Sequence, residues 1–463
     1  MNTKTIKVIM GTALTLSMAM YNNNTLAQNK SGYANLFDGK TLKGWKRLAG
    51  TADYKVQNGA IVGTTVAGSG NTFLVTEKEY GDYVLELDVK IDDIGNNAGV
   101  QIHSHYDPAG NGGKGKVYGK QFEIDPSDRK WTGGIYDEGR REWLYPLGLN
   151  AKAQDAFKVG QFNHIKIECI GDETKTWVNG VAAAYVVDTL DRTGFIALQV
   201  HAVTKPEDAG EKVYFKNIRI KTKGIIPQAF AKNIYVANLQ PNTLNAYEKA
   251  NGWKLLFDGK TSKGWRSVRN MDFPTKGWDT NNGYLTILGA PDKSSQVGGD
   301  IITEEKYGAM DLSFDFKLSE VANGGVKYFT TLSQGTVGSP LGLEYQVLDD
   351  DKHPDARAGR DGNRKLGSLY DLIPAKKQAR FTKKVGEWNT ARIVVYPNNH
   401  VEHYLNGMKV LEYDRGGKEY KEAVALSKFK NDVNFGEAKE GYILLQDHGC
   451  RVNFRNMKLK RLE

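Results

Sequence analysis

The chain has little cysteine, little proline and no long block of one charge, and each shortage closes a class of answers. Two cysteines in 463 residues, Cys169 and Cys450, cannot build a disulfide framework, so two buried single thiols are expected. Twelve prolines against 51 glycines exclude a proline-rich or collagen-like chain and suit short strands joined by tight turns, where glycine supplies positive φ. The 63 basic and 54 acidic residues leave a formal charge of +9, but no basic block or basic helix is there to track a phosphate backbone. Nucleic acid is therefore not an expected partner. No apolar run is long enough to span a bilayer. The nearest, residues 8–20, follows Lys4 and Lys7 and leads to Thr25-Leu26-Ala27, the pattern of a secretory signal peptide cut after Ala27. No cysteine stands at that cut to carry lipid, so a periplasmic or secreted location is expected, with no transmembrane segment in the mature chain.

What the chain does have is a repeat. Residues 36–45 read LFDGKTLKGW and residues 256–265 read LFDGKTSKGW. Further landmarks recur in the same order: Asn97-Ala98-Gly99-Val100 with Asn323-Gly324-Gly325-Val326, Phe162-Asn163 with Trp388-Asn389, and Trp177-Val178-Asn179-Gly180 with Tyr404-Leu405-Asn406-Gly407. Leu198-Gln199-Val200-His201 then answers to Leu445-Gln446-Asp447-His448, and Phe215-Lys216-Asn217 to Phe454-Arg455-Asn456. Shared order on this scale marks a duplicated domain.

Within each copy the period is two. Tyr83, Leu85, Leu87, Val89 and Ile91 alternate with polar residues, as do Met310, Leu312, Phe314, Phe316 and Leu318, which predicts strands with one buried face. Asn-Gly pairs at Asn58, Asn179, Asn282 and Asn406 predict type I′ hairpin turns. The fold class is all-β: two tandem jelly-roll β-sandwiches, residues 33–222 and 252–463, joined by an ordered linker at 223–251. Ile225, Ile226, Phe230, Ile234 and Tyr235 make that linker too apolar to be left in water, and Thr243 is expected to cap a short helix that Gly252 ends.

The LFDGK-x-x-x-GW opening, the N-x-G-V strand, EYQVLDD, GEWN, the W/Y-x-NG hairpin and LLQDHG followed by FRN resemble the 3-keto-disaccharide hydrolase family, whose sandwich is concanavalin A-like. The second copy matches most fully. The first departs, with Gln121-Phe122-Glu123-Ile124-Asp125 exchanging acid and amide, and family members carry an arginine where His103 and Phe329 stand here. The resemblance implies a carbohydrate substrate whose C3 hydroxyl is already a ketone. That ketone acidifies the C2 proton, so a base can remove it and β-elimination can expel the C1 substituent, with hydration giving net hydrolysis. Such chemistry needs a base near C2, a donor or cation at the C3 oxygen, and an acid for the leaving group.

Glu344 and Gln346 stand two apart, so on a strand both side chains share a face, and Gln446 and His448 form a second such pair. Glu344 and His448 are the expected acid and base, with Glu123 and His201 as their counterparts in the first copy. Gln346, Gln446, Lys327 and Tyr370 are the expected sugar contacts, and Gln121, Gln199 and Tyr136 those of the first copy. A wet strand face or a structural hydrogen bond is the plain alternative for each pair. The chemistry requires no cofactor, but Gln101, His103 and His105 read as one strand face, and with His201 and a carboxylate they would suit a divalent metal that polarises the ketone. Trp131, Trp143, Tyr136, Tyr145 and Tyr370 are candidates to stack on a pyranose ring, whereas Trp45, Trp177, Trp265 and Trp388 are assigned to packing. Asp349, Asp350, Asp351 and His353 lack the glycine and glutamate of an EF-hand loop and read as a solvated turn. Two readings compete with 3-keto-glycoside cleavage. One is a sugar-binding protein without catalysis, which the sandwich fold equally permits. The other is a conventional glycosidase, disfavoured because Gln346 and Leu348 stand where a second acid would be needed.

Overall fold

The alternating segments bury one face as their period requires: Tyr83, Leu85, Leu87, Val89 and Ile91 have no exposed surface, nor have Met310, Leu312, Phe314 and Phe316. Each such side chain contributes about 1.5–3 kcal/mol by leaving water. The structure is a computed structural model describing residues 32–290, 296–333, 335 and 339–463; the expected signal segment at 1–27 lies outside the described residues.

Each copy is a sandwich of two sheets. In the first, Tyr83–Ile91 lies between Asn163–Ile170 and Lys212–Lys221 in one sheet, and the facing sheet runs Glu142–Tyr145, Ile135–Glu138, Lys116–Ile124, Ala98–Asp107, Gly194–Val200, Thr72–Tyr80, Trp45–Leu48. In the second, Met310–Leu318 lies between Val452–Arg461 and Asn389–Val395, and the facing sheet runs Trp265–Ser267, Ile301–Tyr307, Gly441–Leu445, Asn323–Thr330, Leu343–Leu348. These neighbours pair antiparallel.

The twice-written decapeptide does the same job twice. Asp38 accepts from the backbone N–H groups of Lys40 and Thr41 at 2.8 and 2.7 Å, and Asp258 accepts from Lys260 and Thr261 at the same distances. Trp45 and Trp265 then return their indole N–H to the carbonyls of Leu36 and Leu256 at 2.8 and 2.6 Å, closing each turn against the core. Asn179-Gly180 and Asn406-Gly407 have positive φ at both residues, as the type I′ turn demands. Cys169 and Cys450 are both buried and outside any disulfide, and the Cys450 thiol donates to the Val321 carbonyl at 3.5 Å.

The linker belongs to both copies. Ala237–Asn238 adds a parallel strand to Val181–Val187, and Phe230 packs against Trp177, Tyr185 and Tyr247. The helix Ala246–Ala250 is capped by Asn245 rather than Thr243, because Glu248 three residues on completes a capping box with Asn245. Ile226 is 84% exposed, contrary to expectation; the aromatic residues further along the linker carry the packing instead. Glu248 also makes a buried 2.5 Å ion pair with Lys458 of the second sandwich, while its other oxygen accepts from Asn238 and Asn245. Fully satisfied in this way, the pair fastens linker to sandwich, and removing one partner of such a pair costs about 3–5 kcal/mol. Further along, Phe381 of the second copy packs 5.9 Å from Trp131 of the first.

Candidate active site

In the second copy Tyr345 and Val347 point into the core, which turns Glu344 and Gln346 to the opposite face of the sheet. Gln446 does not sit on an adjacent strand, as the sequence pattern suggested; Asn323–Thr330 runs between Gly441–Leu445 and Leu343–Leu348. The residue of that middle strand lying between Gln346 and Gln446 is Gly325, paired with Gln346 in register and accepting from the Gln446 N–H at 3.0 Å. A Cβ there would lie 2.4 Å from Glu344 Oε1 and 2.6 Å from the Gln446 side chain. The missing side chain is what lets the two strands' polar groups meet.

With the Gln446 amide oriented to satisfy its neighbours, its nitrogen donates to Glu344 Oε1 at 3.0 Å and to His448 Nε2 at 3.2 Å, and its oxygen accepts from Lys327 Nζ at 3.1 Å. Gln346, oriented likewise, donates to Glu344 Oε1 at 3.1 Å and to the Gly324 carbonyl at 2.8 Å. Lys327 also donates to the Pro340 carbonyl at 3.3 Å. Burial pushes the Glu344 carboxyl up to about 7, although Lys327 and Lys428 pull it down. Burial also lowers His448 to about 4, with the same two lysines adding to the effect, so the imidazole is neutral near pH 7 with Nε2 turned to a donor. Asp447 is structural: Oδ2 accepts from the N–H groups of Val297, Gly298 and Gly299 at 3.2, 3.0 and 3.0 Å, and Oδ1 accepts from Gly449 at 2.9 Å, so both flanks of His448 are held. Tyr370 is half-buried beside Glu344, its N–H donating to the Glu344 carbonyl at 3.0 Å.

The first copy keeps the frame and rearranges the charges. Gly99 pairs with Glu123 as Gly325 pairs with Gln346, and Gln101 pairs with Gln121 as Lys327 pairs with Glu344. Glu123 thus takes the place of Gln346, and no lysine stands at Gln101. Burial raises Glu123 to about 7 as well, but its oxygens are held by Asn97 at 2.9 Å and Gln121 at 2.8 Å. Gln101 bonds Gln121 at 2.5 Å and accepts from Ser104 at 2.6 Å. Gln199 is buried with Oε1 unpartnered, and Tyr136 is half-buried beside Gln121. His201 is exposed, bonded through Nδ1 to the Ala202 carbonyl at 2.9 Å, and lies on the wall of a cleft of about 930 Å³ with Asn71, Glu138 and Lys116.

The 3-keto-alpha-glucoside-1,2-lyase-like domain matches the chain twice, over residues 32–221 and 252–460. The chain belongs to that family. A relative from Bacteroides thetaiotaomicron named 3-keto-disaccharide hydrolase is 36% identical over 256 residues, covering 51% of this chain and 86% of its own length. A crystal structure of a candidate glycosyl hydrolase from Parabacteroides distasonis is 29% identical, covers 48% of this chain and 100% of its own, and has a TM-score of 0.42. A second from the same organism is 26% identical, covers 46% and 100%, and has a TM-score of 0.34. Family and curated relative together support a glycoside-hydrolase-type function.

Within this family member several sequence expectations are corrected. His103 and His105 do not form a ligand pair: a bulge between Ile102 and His105 breaks the alternation, with His103 at φ 46°. Both His103 nitrogens face backbone carbonyls, of Asp191 at 3.1 Å and Gly81 at 2.7 Å, and His105 pairs with the Asp191 carboxylate at 3.2 Å. Neither joins His201 or Glu123. Among the described residues three ligand-type groups gather only at His400, Glu402 and Glu412, where Lys409 already spans the two glutamates at 3.1 and 2.7 Å. Tyr145 and Trp131 are core residues, 0% and 4% exposed, so they have no face for a sugar. The acidic run is a turn: Asp349 caps the N–H groups of Val321, Asp351 and Lys352, and Asp350 takes Lys377 and the Leu366 N–H.

Two groups escaped the sequence reading. Arg364 braces the wall by bonding Asp355 at 2.9 Å and Asp371 at 2.7 Å, and Lys428 stands 4.4 Å over the Tyr370 ring. Both come from segments without a partner in the other copy's landmarks, so the repeat gave no signal for them.

Proposed function

We propose that the chain cleaves 3-keto-glycosides in its second groove, by C2 proton abstraction and β-elimination followed by hydration. The observation that carries this reading is a buried Glu344 whose pKa of about 7 suits a base at neutral pH, hydrogen-bonded to amides with Lys327 beside it, the carboxylates of Asp300 and Asp355 acting on it only through charge. A conventional glycosidase sets two carboxyl groups about 5–9.5 Å apart around the anomeric carbon. Here the groups bonded to Glu344 are Gln346 and Gln446.

In the proposed sequence Glu344 takes the C2 proton, and the C–H electron pair enters a C2=C3 enediolate whose charge rests on the C3 oxygen. That charge then returns to re-form the C3 ketone, C1=C2 forms, and the C1 substituent leaves with the proton Glu344 collected. Water adding across C1=C2 gives the free 3-keto sugar. Gln446, tied to Lys327 and Glu344 at once, fixes the base, and neutral His448 faces the sugar as a hydrogen-bonding partner of its hydroxyls. An exported enzyme fits the lysine-flanked apolar N-terminal segment, and N-terminal sequencing of the mature protein, expected to begin at Gln28, checks it.

The test is to incubate the purified chain with a 3-keto glucoside and with the same glucoside unoxidised, following release of the leaving group. Release from the keto substrate alone is expected. Release from neither would favour the alternative, a sugar-binding protein without catalysis, for which the 930 Å³ cleft beside His201 speaks.

A further inference from the structure

The two copies part company between the hairpin and the strand that leads to the site. In the first, residues 188–193 connect Val181–Val187 to Gly194–Val200; in the second, residues 415–440 connect Met408–Asp414 to Gly441–Leu445. The longer connection is a built structure. It holds the helix Lys418–Ala425, whose Tyr420 hydroxyl donates to the Phe435 carbonyl, and Phe429 stacks on Phe435 with ring centroids 4.0 Å apart. It is also tied to the groove wall: the Lys428 N–H donates to Asp371 Oδ2 at 2.8 Å, and Arg364 grips Oδ1 of the same aspartate at 2.7 Å.

These ties bring one side chain to the groove. Lys428 Nζ lies 4.4 Å from the centroid of Tyr370, whose N–H is bonded to the Glu344 carbonyl, and 5.1 Å from that of Phe429. Lys428 is exposed, and none of the ion pairs among the described residues includes it. Lys327 differs on both counts: it is 4% exposed, and Pro340 and Gln446 occupy it. One lysine is committed to positioning, and the other is a cation held over the aromatic face of Tyr370 beside Glu344 with donors to spare.

We propose that Lys428 is the ammonium group that holds the C3 oxygen of the substrate while negative charge develops on it, a catalytic role for which the first copy has no counterpart. The proposal rests on the reading of the second groove given above. As Glu344 removes the C2 proton, the electron pair of that C–H bond becomes the C2=C3 bond, and the carbonyl pair moves onto the C3 oxygen. Lys428 donates a hydrogen bond to this oxygen and keeps its own proton; when the charge returns to the carbonyl, C1=C2 forms and the bond from C1 to the leaving oxygen breaks. A fixed cation aimed at a developing oxyanion acts most strongly where water is excluded, which at the exposed Lys428 requires the bound sugar to cover it, and removing one such donor typically costs about 10²–10³ in kcat. The same charge, with that of Lys327, favours the ionised form of Glu344 against burial and the charges of Asp300 and Asp355, which supplies a signature beyond rate.

The experiment uses the full mature chain and its Lys428→Met and Lys428→Arg variants, with a 3-keto glucoside bearing a chromogenic leaving group. Lys428→Met is expected to lower kcat about 10²–10³-fold with little change in KM, and to move the acid limb of its pH profile upward, since the cation favouring the Glu344 carboxylate is gone. Lys428→Arg is expected to keep the acid limb in place and recover part of the rate. Wild-type kcat in Lys428→Met, or an unmoved acid limb, would overturn the proposal. Failure of the wild-type chain itself to release the leaving group would instead fail the reading beneath it and take the lysine's role with it.

Discussion

The two candidate sites share a frame of paired strands and differ in where they put charge. Gly99 and Gly325, Gln199 and Gln446, and His201 and His448 correspond in sequence order, and Tyr136 and Tyr370 flank the same strand in each copy. Three corresponding positions differ: Gln101 for Lys327, Gln121 for Glu344, and Glu123 for Gln346. Both acids are raised to about 7 by burial, so a shifted carboxyl by itself does not tell the copies apart. Their company does. Glu344 is acted on by two lysines, one of them on a segment found only in the second copy, as well as by Asp300 and Asp355, whereas Glu123 is held by Asn97 and Gln121 beside the charges of Asp125 and Glu138. The two copies share the frame, and the proposed chemistry follows the cations placed around it.

The sharpest way to break this comparison is to remove the base proposed for the second copy. Glu344→Gln should lower turnover of a 3-keto glucoside by about 10²–10⁴-fold, the usual cost of losing a general base, with the first groove untouched. Near-normal turnover would move the chemistry to Glu123. A smaller effect, read on the same enzyme, is its pH profile. If Glu344 acts as the carboxylate, kcat/KM should fall about tenfold per unit below an apparent pKa near 7, and His448 should not add a limb until about pH 4. A profile flat from pH 5 to 8 would contradict the assignment.

How far the sequence reached can be said residue by residue. Alternation at 83–91 and 310–318 and the Asn-Gly turns made the sandwiches legible, because a period of two and a positive-φ pair are local properties. Glu344, Gln346, Gln446 and His448 were also readable, since the duplicated landmarks bracket them. The bulge at His103 was not, for one extra residue flips a strand's faces and leaves no mark in composition. Gly325 was visible only as a landmark; its use as the gap between Glu344 and Gln446 depends on strand order, which is a long-range property. Lys428 was invisible because its segment has no counterpart to be compared with. Asn245 could have been preferred to Thr243 as the helix cap, since Glu248 stands three residues after it.

Stability gives a further contrast that needs no substrate. The folded-state pKa of Glu344 is raised, so the stability it brings is fully present below its unfolded value near 4.5 and is lost as pH rises through about 7. Glu344→Gln should therefore melt higher than wild type at pH 8.5, by an amount on the order of 3 kcal/mol or less, with the gap closing toward pH 4. Thermal melts at the two pH values check this, and an unchanging gap would mean the carboxyl is not strained by burial. The smallest effect is expected in the first groove: Glu123→Gln and His201→Ala should each leave turnover within about threefold of wild type, as for residues making no transition-state contact. A large loss in either would make the first copy a partner in cleavage.

The central claim, that the glycosidic bond breaks through loss of the C2 proton, is tested most directly by running the reaction in deuterated water and reading C2 of the product by NMR. Elimination with hydration predicts deuterium at C2 of the released 3-keto sugar, or a 2-hydroxy-3-keto-glycal with no hydrogen there. A product that retains its original C2 hydrogen throughout would contradict the account, whatever the rate, and would return the paired-carboxylate mechanism to consideration.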